Sequence, residues 1–220
     1  MVPEGRGPLV AGGVLAAAAF AGTLLLAVTD SHTAPYIAAN EYARMLRQLT
    51  AVMPAGGYDN DPVGDTRALR DPDLLGTPEA VKVYRACRQG RPVAVAFAVV
   101  APDGYGGPIR LMVGISAAGV VSGVRVLHHR ETPGLGDDIE TRHSDWIESF
   151  RGTFRGAPPD KDWKVKRDGG VFDQFTGATV TPRAVVAAVH RALVFFQRHR
   201  DELLHGDPPP PPATTPGDPS

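Results

Sequence analysis

Leu9 to Val28 is an unbroken run without a charged residue. At 1.5 Å rise per residue it is long enough to cross the hydrocarbon of a bilayer. Gly12, Gly13, Ala16, Ala17, Ala18 and Gly22 give it a small-residue face, which suits close approach of other membrane helices. Ile37, Met45, Leu46, Leu49 and Met53 recur at roughly helical spacing, and Pro54 marks a stop, so a second helix is predicted over 34–53. Residues 56–78 are rich in Asp, Pro and Gly and read mostly as loop. Three strands are then predicted. Pro92 to Val100 and Ile109 to Ser116 are nearly continuous apolar runs, and Gly119 to His128 alternates. The short Ala117-Ala118-Gly119 connection predicts a hairpin. Ser144 to Phe150 reads as a helix start with Ser144 as cap, and Trp163 to Val165 as a further short strand. Pro182 to Leu204 predicts a helix with Val185, Val189, Leu193 and Phe196 on one face and Thr181 as its N-cap. The pattern is that of an α+β chain with a small, mostly antiparallel sheet.

Composition narrows the picture. The chain has 220 residues and a net charge of -1, so no global field draws it to nucleic acid. Cys87 is the one cysteine, which leaves no internal disulfide and no zinc or iron–sulfur spacing; it reads as a packing residue near the start of a strand. The apolar run 9–28 exceeds a usual signal core and lacks a clean cleavage site, so it is expected to be a retained anchor rather than a cleaved signal. Arg6 before it and Asp30 after it place the N-terminus in the cytoplasm and the rest of the chain outside. The run Pro208 to Pro212 opens a tail that cannot build a core and is expected to be disordered. The expected organisation is a cytoplasmic N-terminus (1–8), a transmembrane helix (9–29), a helical and loop lead-in (30–90), a folded domain (91–205) and the proline-rich tail (206–220).

Several polar clusters read as structural. His128 and His129 are neighbours on a strand and point to opposite faces, so they cannot easily share a metal with Glu131. Asp137-Asp138 reads as a solvated helix start, Trp146 and Trp163 as core or rim aromatics, and Asp59 to Asp65 lacks a calcium-loop pattern.

Two stretches remain. Glu131-Thr132-Pro133-Gly134-Leu135-Gly136 allows tight backbone geometry and, alone, is compatible with a plain strand-to-helix loop. Asp173-Gln174-Phe175-Thr176-Gly177-Ala178-Thr179, alone, is compatible with a polar turn entering a helix. Together with Gly106 to Ile115, Gly123 to Leu127, Ser144-Asp145-Trp146, Asp168-Gly169-Gly170 and the continuation to Val185, they resemble the G subunit of Rnf/Rsx electron-transport complexes. The resemblance runs from the anchor to the last helix. The C subunit of sodium-translocating NADH:quinone reductases is a more distant likeness. The proline-rich tail lies outside it.

The resemblance implies one FMN-binding domain behind a single N-terminal transmembrane helix. It implies that FMN is bound covalently, through a phosphoester on Thr179, and that a separate flavin transferase installs it from FAD. Asp173 belongs to that enzyme's recognition pattern, Thr176, Gly177 and Ala178 form the presenting turn, and Glu131, Thr132, Pro133, Gly134, Leu135 and Gly136 lie beside the isoalloxazine ring. The start of the helix near Pro182 offers free amides and a positive dipole end to the phosphate, and Arg183 reads either as a further contact or as a solvated surface residue. The flavin carries the redox chemistry, so no side chain of this protein is expected to act as an acid, base or nucleophile in electron transfer. The implied role is a relay between ferredoxin- or NADH-side subunits in an ion-translocating oxidoreductase of the bacterial inner membrane, with the soluble domain on the periplasmic side. A stand-alone extracytoplasmic FMN domain and a flavin-free structural anchor are the alternatives.

Overall fold

The computed structural model describes residues 7–205. The expected tail at 206–220, and all but the last two residues of the expected cytoplasmic segment, lie outside them. The backbone forms a long helix α1 (Gly7–Val52), five strands and three further helices: α2 (Pro72–Leu75), α3 (Val180–Arg198) and α4 (Arg200–His205). The described residues up to 44 and those from 45 onward form separate units.

In the first unit nearly all the described side chains of the helix are exposed. Val10, Leu15, Phe20, Leu25 and Leu26 are all more than half exposed. So much apolar surface is stable in lipid and not in water. Among the described residues, α1 holds the one helical stretch long and apolar enough to cross a membrane. Two separate helices were expected from the sequence; instead the helix continues through Pro35. A proline removes one backbone donor, which weakens a helix without always ending it.

In the second unit the strands β1 (Thr66–Leu69), β2 (Val81–Arg88), β3 (Arg91–Ala101), β4 (Ile109–Ser116) and β5 (Val121–His128) form an antiparallel meander in the order β1-β2-β3-β4-β5. The three expected strands are present, and β4 and β5 are joined through the expected hairpin, where Gly119 takes φ +85°. The 30–90 segment, read as helix and loop, supplies two more. Both faces of the sheet are covered, which explains the near-continuous apolar runs of β3 and β4. On one face Val95, Phe97, Val99, Leu111, Val113 and Ile115 pack with Val185, Val189, Leu193 and Phe195 of α3. On the other, Ala94, Ala96 and Met112 share a cluster with Leu49, Val52 and Met53 at the end of α1.

After β5 the chain makes tight 3₁₀ turns at Asp137–Ile139, Trp146–Phe150, Asp160–Asp162 and Lys166–Asp168. The helix expected at 144–150 is the second of these, and the strand expected at 163–165 is reduced to one bridge between Val165 and Phe172. Aromatic packing replaces regular hydrogen bonding in this region. Phe150 stacks on Phe172 with centroids 4.8 Å apart, and Trp146 meets Phe175 edge-on at 5.0 Å. Cys87 lies near the end of β2 rather than the start of a strand, and is buried.

Candidate functional site

The two stretches singled out from the sequence meet. Each is built on a turn whose third residue is a glycine with positive φ. In the first, Leu135 N–H donates to Thr132 O at 3.2 Å, with Pro133 second and Gly134 third at φ +75°. In the second, Ala178 N–H donates to Phe175 O at 3.2 Å, with Gly177 third at φ +80°. This is the pattern of a type II turn, where the third position is left-handed and a β-carbon is strained. The turns touch: a β-carbon at Gly177 would stand 3.6 Å from Leu135 Cδ2.

Between them lies a cleft of about 320 Å³, lined by Tyr105, Glu131, Thr132, Leu135, Gly136 and the run Gly177 to Thr181. That is within the ~300–1,000 Å³ typical of small-molecule sites. Of the residues assigned from the sequence, Pro133, Gly134, Asp173 and Thr176 do not line it. The Asp173 carboxylate is exposed and pairs with Lys166 Nζ at 2.6 Å, while its backbone carbonyl accepts from Trp146 Nε1 at 2.8 Å.

Glu131 lines the cleft, and its carboxylate is also bonded within the fold. The residue is buried. Oε1 accepts from Gly106 N–H at 2.9 Å and Oε2 accepts from the Thr181 hydroxyl. The space around it is tight: a β-carbon at Gly136 would lie 2.9 Å from Glu131 Cβ. The carboxylate therefore holds together the loop before β4, the exit of β5 and the first turn of α3.

Helix α3 begins earlier than the sequence suggests. Val180 is its first residue, so Thr179 occupies the N-cap position and Thr181 and Pro182 are inside. Thr181 was expected to cap; its hydroxyl is instead committed to Glu131 and fully buried. Thr179 makes no side-chain cap bond. A capping hydroxyl normally accepts from the second or third helical amide, and here the third residue is Pro182, which has no N–H. The three threonines thus differ in kind. Thr176 is exposed and does not line the cleft, Thr181 is buried with its hydroxyl bonded to Glu131, and Thr179 lines the cleft with a hydroxyl that makes no cap bond.

The charged neighbours are mostly committed. Arg183 Nη2 donates to Asp168 Oδ1 at 2.6 Å, and that contact is the main reason the Asp168 carboxyl is held below its ordinary range. Asp137, expected as a solvated residue, is buried: it accepts from Gly134 N–H at 2.7 Å and pairs with His143 at 2.8 Å. It fixes the Thr132–Leu135 turn from below. His129 pairs through Nε2 with Glu140 at 2.6 Å, and its Nδ1 accepts from Glu131 N–H at 3.1 Å. Tyr105, Val180 and Thr181 were not assigned to the site from the sequence. The only local signal for Tyr105 is its place between Gly104 and Gly106.

Residues 104–194 match the FMN-binding domain family. The chain is 49% identical to the G subunit of the ion-translocating oxidoreductase complex of Cereibacter sphaeroides (strain ATCC 17029 / ATH 2.4.9), over 90% of this chain and 88% of that protein. It is 47% identical to the G subunit of Vibrio cholerae serotype O1 (strain M66-2), over 89% of this chain and 92% of the relative. The protein of the same name in Shewanella oneidensis is 44% identical over 89% of this chain and 93% of its own. Likeness of this extent over nearly the whole of both chains makes this chain a member of the G-subunit family of ion-translocating oxidoreductase complexes, with an FMN-binding domain.

Proposed function

We propose that this chain is the membrane-anchored flavoprotein subunit of an ion-translocating oxidoreductase complex, and that it carries FMN on Thr179 through a phosphoester. The observation that carries the attachment is the state of Thr179: it lines the cleft at the mouth of α3, and its hydroxyl caps nothing. When bound, the isoalloxazine ring supplies reversible electron uptake and release.

The residues suit that group. Leu135, Val180 and Tyr105 offer apolar and aromatic surface for a planar ring. Gly177 and Ala178 leave a narrow backbone beside the hydroxyl. The first amides of a 19-residue helix follow directly, where a phosphate is favoured by unpaired N–H groups and the positive end of the helix dipole. Attachment forms a bond between Thr179 Oγ1 and the FMN phosphorus while the bond to the AMP half of FAD breaks. The hydroxyl proton leaves to solvent or to the departing AMP. A transferase supplies the catalysis, and Asp173, exposed on the approach to the turn, is part of what it recognises. Thr176 shapes the turn, and Pro133 and Gly134 shape the facing one.

The anchor is residues 9–29 of α1, and the soluble domain lies on the periplasmic side of the inner membrane. Little free FMN is available there, so a bonded cofactor keeps its place where a dissociable one is lost. The partners are the other subunits of the complex.

The test is a denaturing gel of the purified chain, viewed for flavin fluorescence before staining. The band should fluoresce in the wild type, in Thr176→Val and in Thr181→Ser, and be dark in Thr179→Val. A fluorescent Thr179→Val band rejects the site, and a dark wild-type band from cells containing the transferase rejects the cofactor linkage.

A further inference from the structure

The largest exposed aromatic of the soluble domain stands at the cleft. Tyr105 is 74% exposed, and it lines the same cavity as Leu135, Thr179 and Val180. Its backbone does not share that freedom. Gly107 N–H donates to Gly104 O at 3.2 Å, and Gly106 N–H donates to the buried Glu131 carboxylate at 2.9 Å. The loop is pressed against the exit of β5 so closely that a β-carbon at Gly106 would fall 1.9 Å from Arg130 O. At Gly104 a β-carbon would fall 2.3 Å from Gly107 O. A fixed loop thus carries one large side chain that contributes nothing to the core. Glu131 ties this loop and the first turn of α3 together, so the position of Tyr105 relative to Thr179 is set by the fold.

We propose that Tyr105 is an aromatic wall of the flavin site, lying against the isoalloxazine ring attached at Thr179 and controlling its electronic environment. The proposal rests on the flavin reading above. An aromatic face is electron-rich, so contact with the ring disfavours added negative charge on it. The same contact excludes water, which would stabilise that charge. Both effects hold the flavin's midpoint potential down. A phenol in contact with the ring also quenches its fluorescence by donating an electron to the excited state.

The experiment uses the full chain in detergent, flavinylated in cells, as wild type, Tyr105→Leu and Tyr105→Trp. Gel fluorescence after denaturation reports attachment. The ratio of folded to unfolded flavin fluorescence, and the midpoint potential, report the ring's surroundings. All three bands should fluoresce equally on the gel. Folded wild type and Tyr105→Trp should be quenched, whereas Tyr105→Leu should brighten several-fold and its potential should rise. Unchanged folded fluorescence and potential in a flavinylated Tyr105→Leu protein overturn the proposal while leaving the attachment at Thr179 intact. Loss of the gel signal in Tyr105→Leu also overturns it, by assigning Tyr105 to attachment instead. A dark wild-type band removes the flavin reading and this proposal with it.

Discussion

The Thr181 hydroxyl donates to the buried carboxylate of Glu131 across 50 residues of sequence. This contact fixes where α3 starts relative to the exit of β5, and so fixes the cleft between them. Both of its groups are buried, and a buried donor or acceptor left unpaired is costly. Thr181→Val keeps the shape and removes the donor, so it should destabilise the domain by about 1–3 kcal/mol, read as a lower denaturation midpoint. Thr181→Ser keeps the hydroxyl and should lose much less. Glu131→Ala strips partners from both Thr181 and Gly106, and its loss should be the largest of the three. Equal midpoints for all of them would mean the contact holds nothing.

The facing turns make a prediction of their own. Gly134 at φ +75° and Gly177 at φ +80° sit where an L side chain is strained by about 1–2 kcal/mol. Gly177→Ala also adds a carbon against Leu135. Both variants should be less stable, but only Gly177→Ala alters the turn that presents Thr179. Flavin per chain, measured by absorbance of the denatured protein, should fall in Gly177→Ala and stay nearer wild type in Gly134→Ala.

These turns were readable from Pro-Gly and Thr-Gly pairs because their chemistry is local. Strands β3, β4 and β5 were readable for the same reason. Strand β2 was not, because the charged Arg85 in its middle interrupts the apolar pattern. In the fold Arg85 is buried and pairs with Asp65 at 2.7 Å, a partner no local pattern reveals. Strand β1 is a short edge strand with a charge inside it, which gives periodicity little to work on. The burial of Thr181 depends on Glu131, and the burial of Asp137 on His143 and Gly134. Each was misread as a solvated or capping residue because its partner is set by tertiary packing.

Asp71 should contribute to the acid sensitivity of the fold. It caps α2, accepting from Leu74 N–H at 3.3 Å, and meets Arg198 at 3.0 Å and His199 at 3.2 Å at the end of α3. Burial pushes its carboxyl up, but the hydrogen bonds from His199, Leu74 and Arg198 outweigh this and hold it below its ordinary 3.8. A depressed carboxyl stabilises the fold above its unfolded-state value and loses that contribution as pH falls through the folded-state value. Asp71→Asn keeps a capping oxygen but loses the charge that meets Arg198 and His199, so it should be less stable than wild type near neutrality, by about 0.2–1 kcal/mol. The gap should narrow as pH drops below about 4. A gap that stays constant across an acid titration of the unfolding free energy would remove Asp71 as the cause.

The end of α1 is held by a notch in the sheet. Gly114 on β4 is the register partner of Gly123 on β5. A β-carbon on Gly114 would lie 2.1 Å from Val52 O, and one on Gly123 would lie 3.0 Å from Val52 Cα. The Val52 carbonyl, one of those a helix end leaves unpaired, accepts instead from Ser122 Oγ at 2.5 Å. Gly114→Ala must push Val52 off the sheet, because the clash is with backbone and cannot be relieved by a rotamer change. Overpacking of this kind costs about 1–3 kcal/mol, and the loss here should reach the top of that range. Ser122→Ala removes only the hydrogen bond and should cost about 1 kcal/mol. The cleft is built from other segments, so both variants should keep their flavin on a denaturing gel while showing faster limited proteolysis after Met53. If Gly114→Ala unfolds and digests like wild type, α1 does not depend on the notch for its seat.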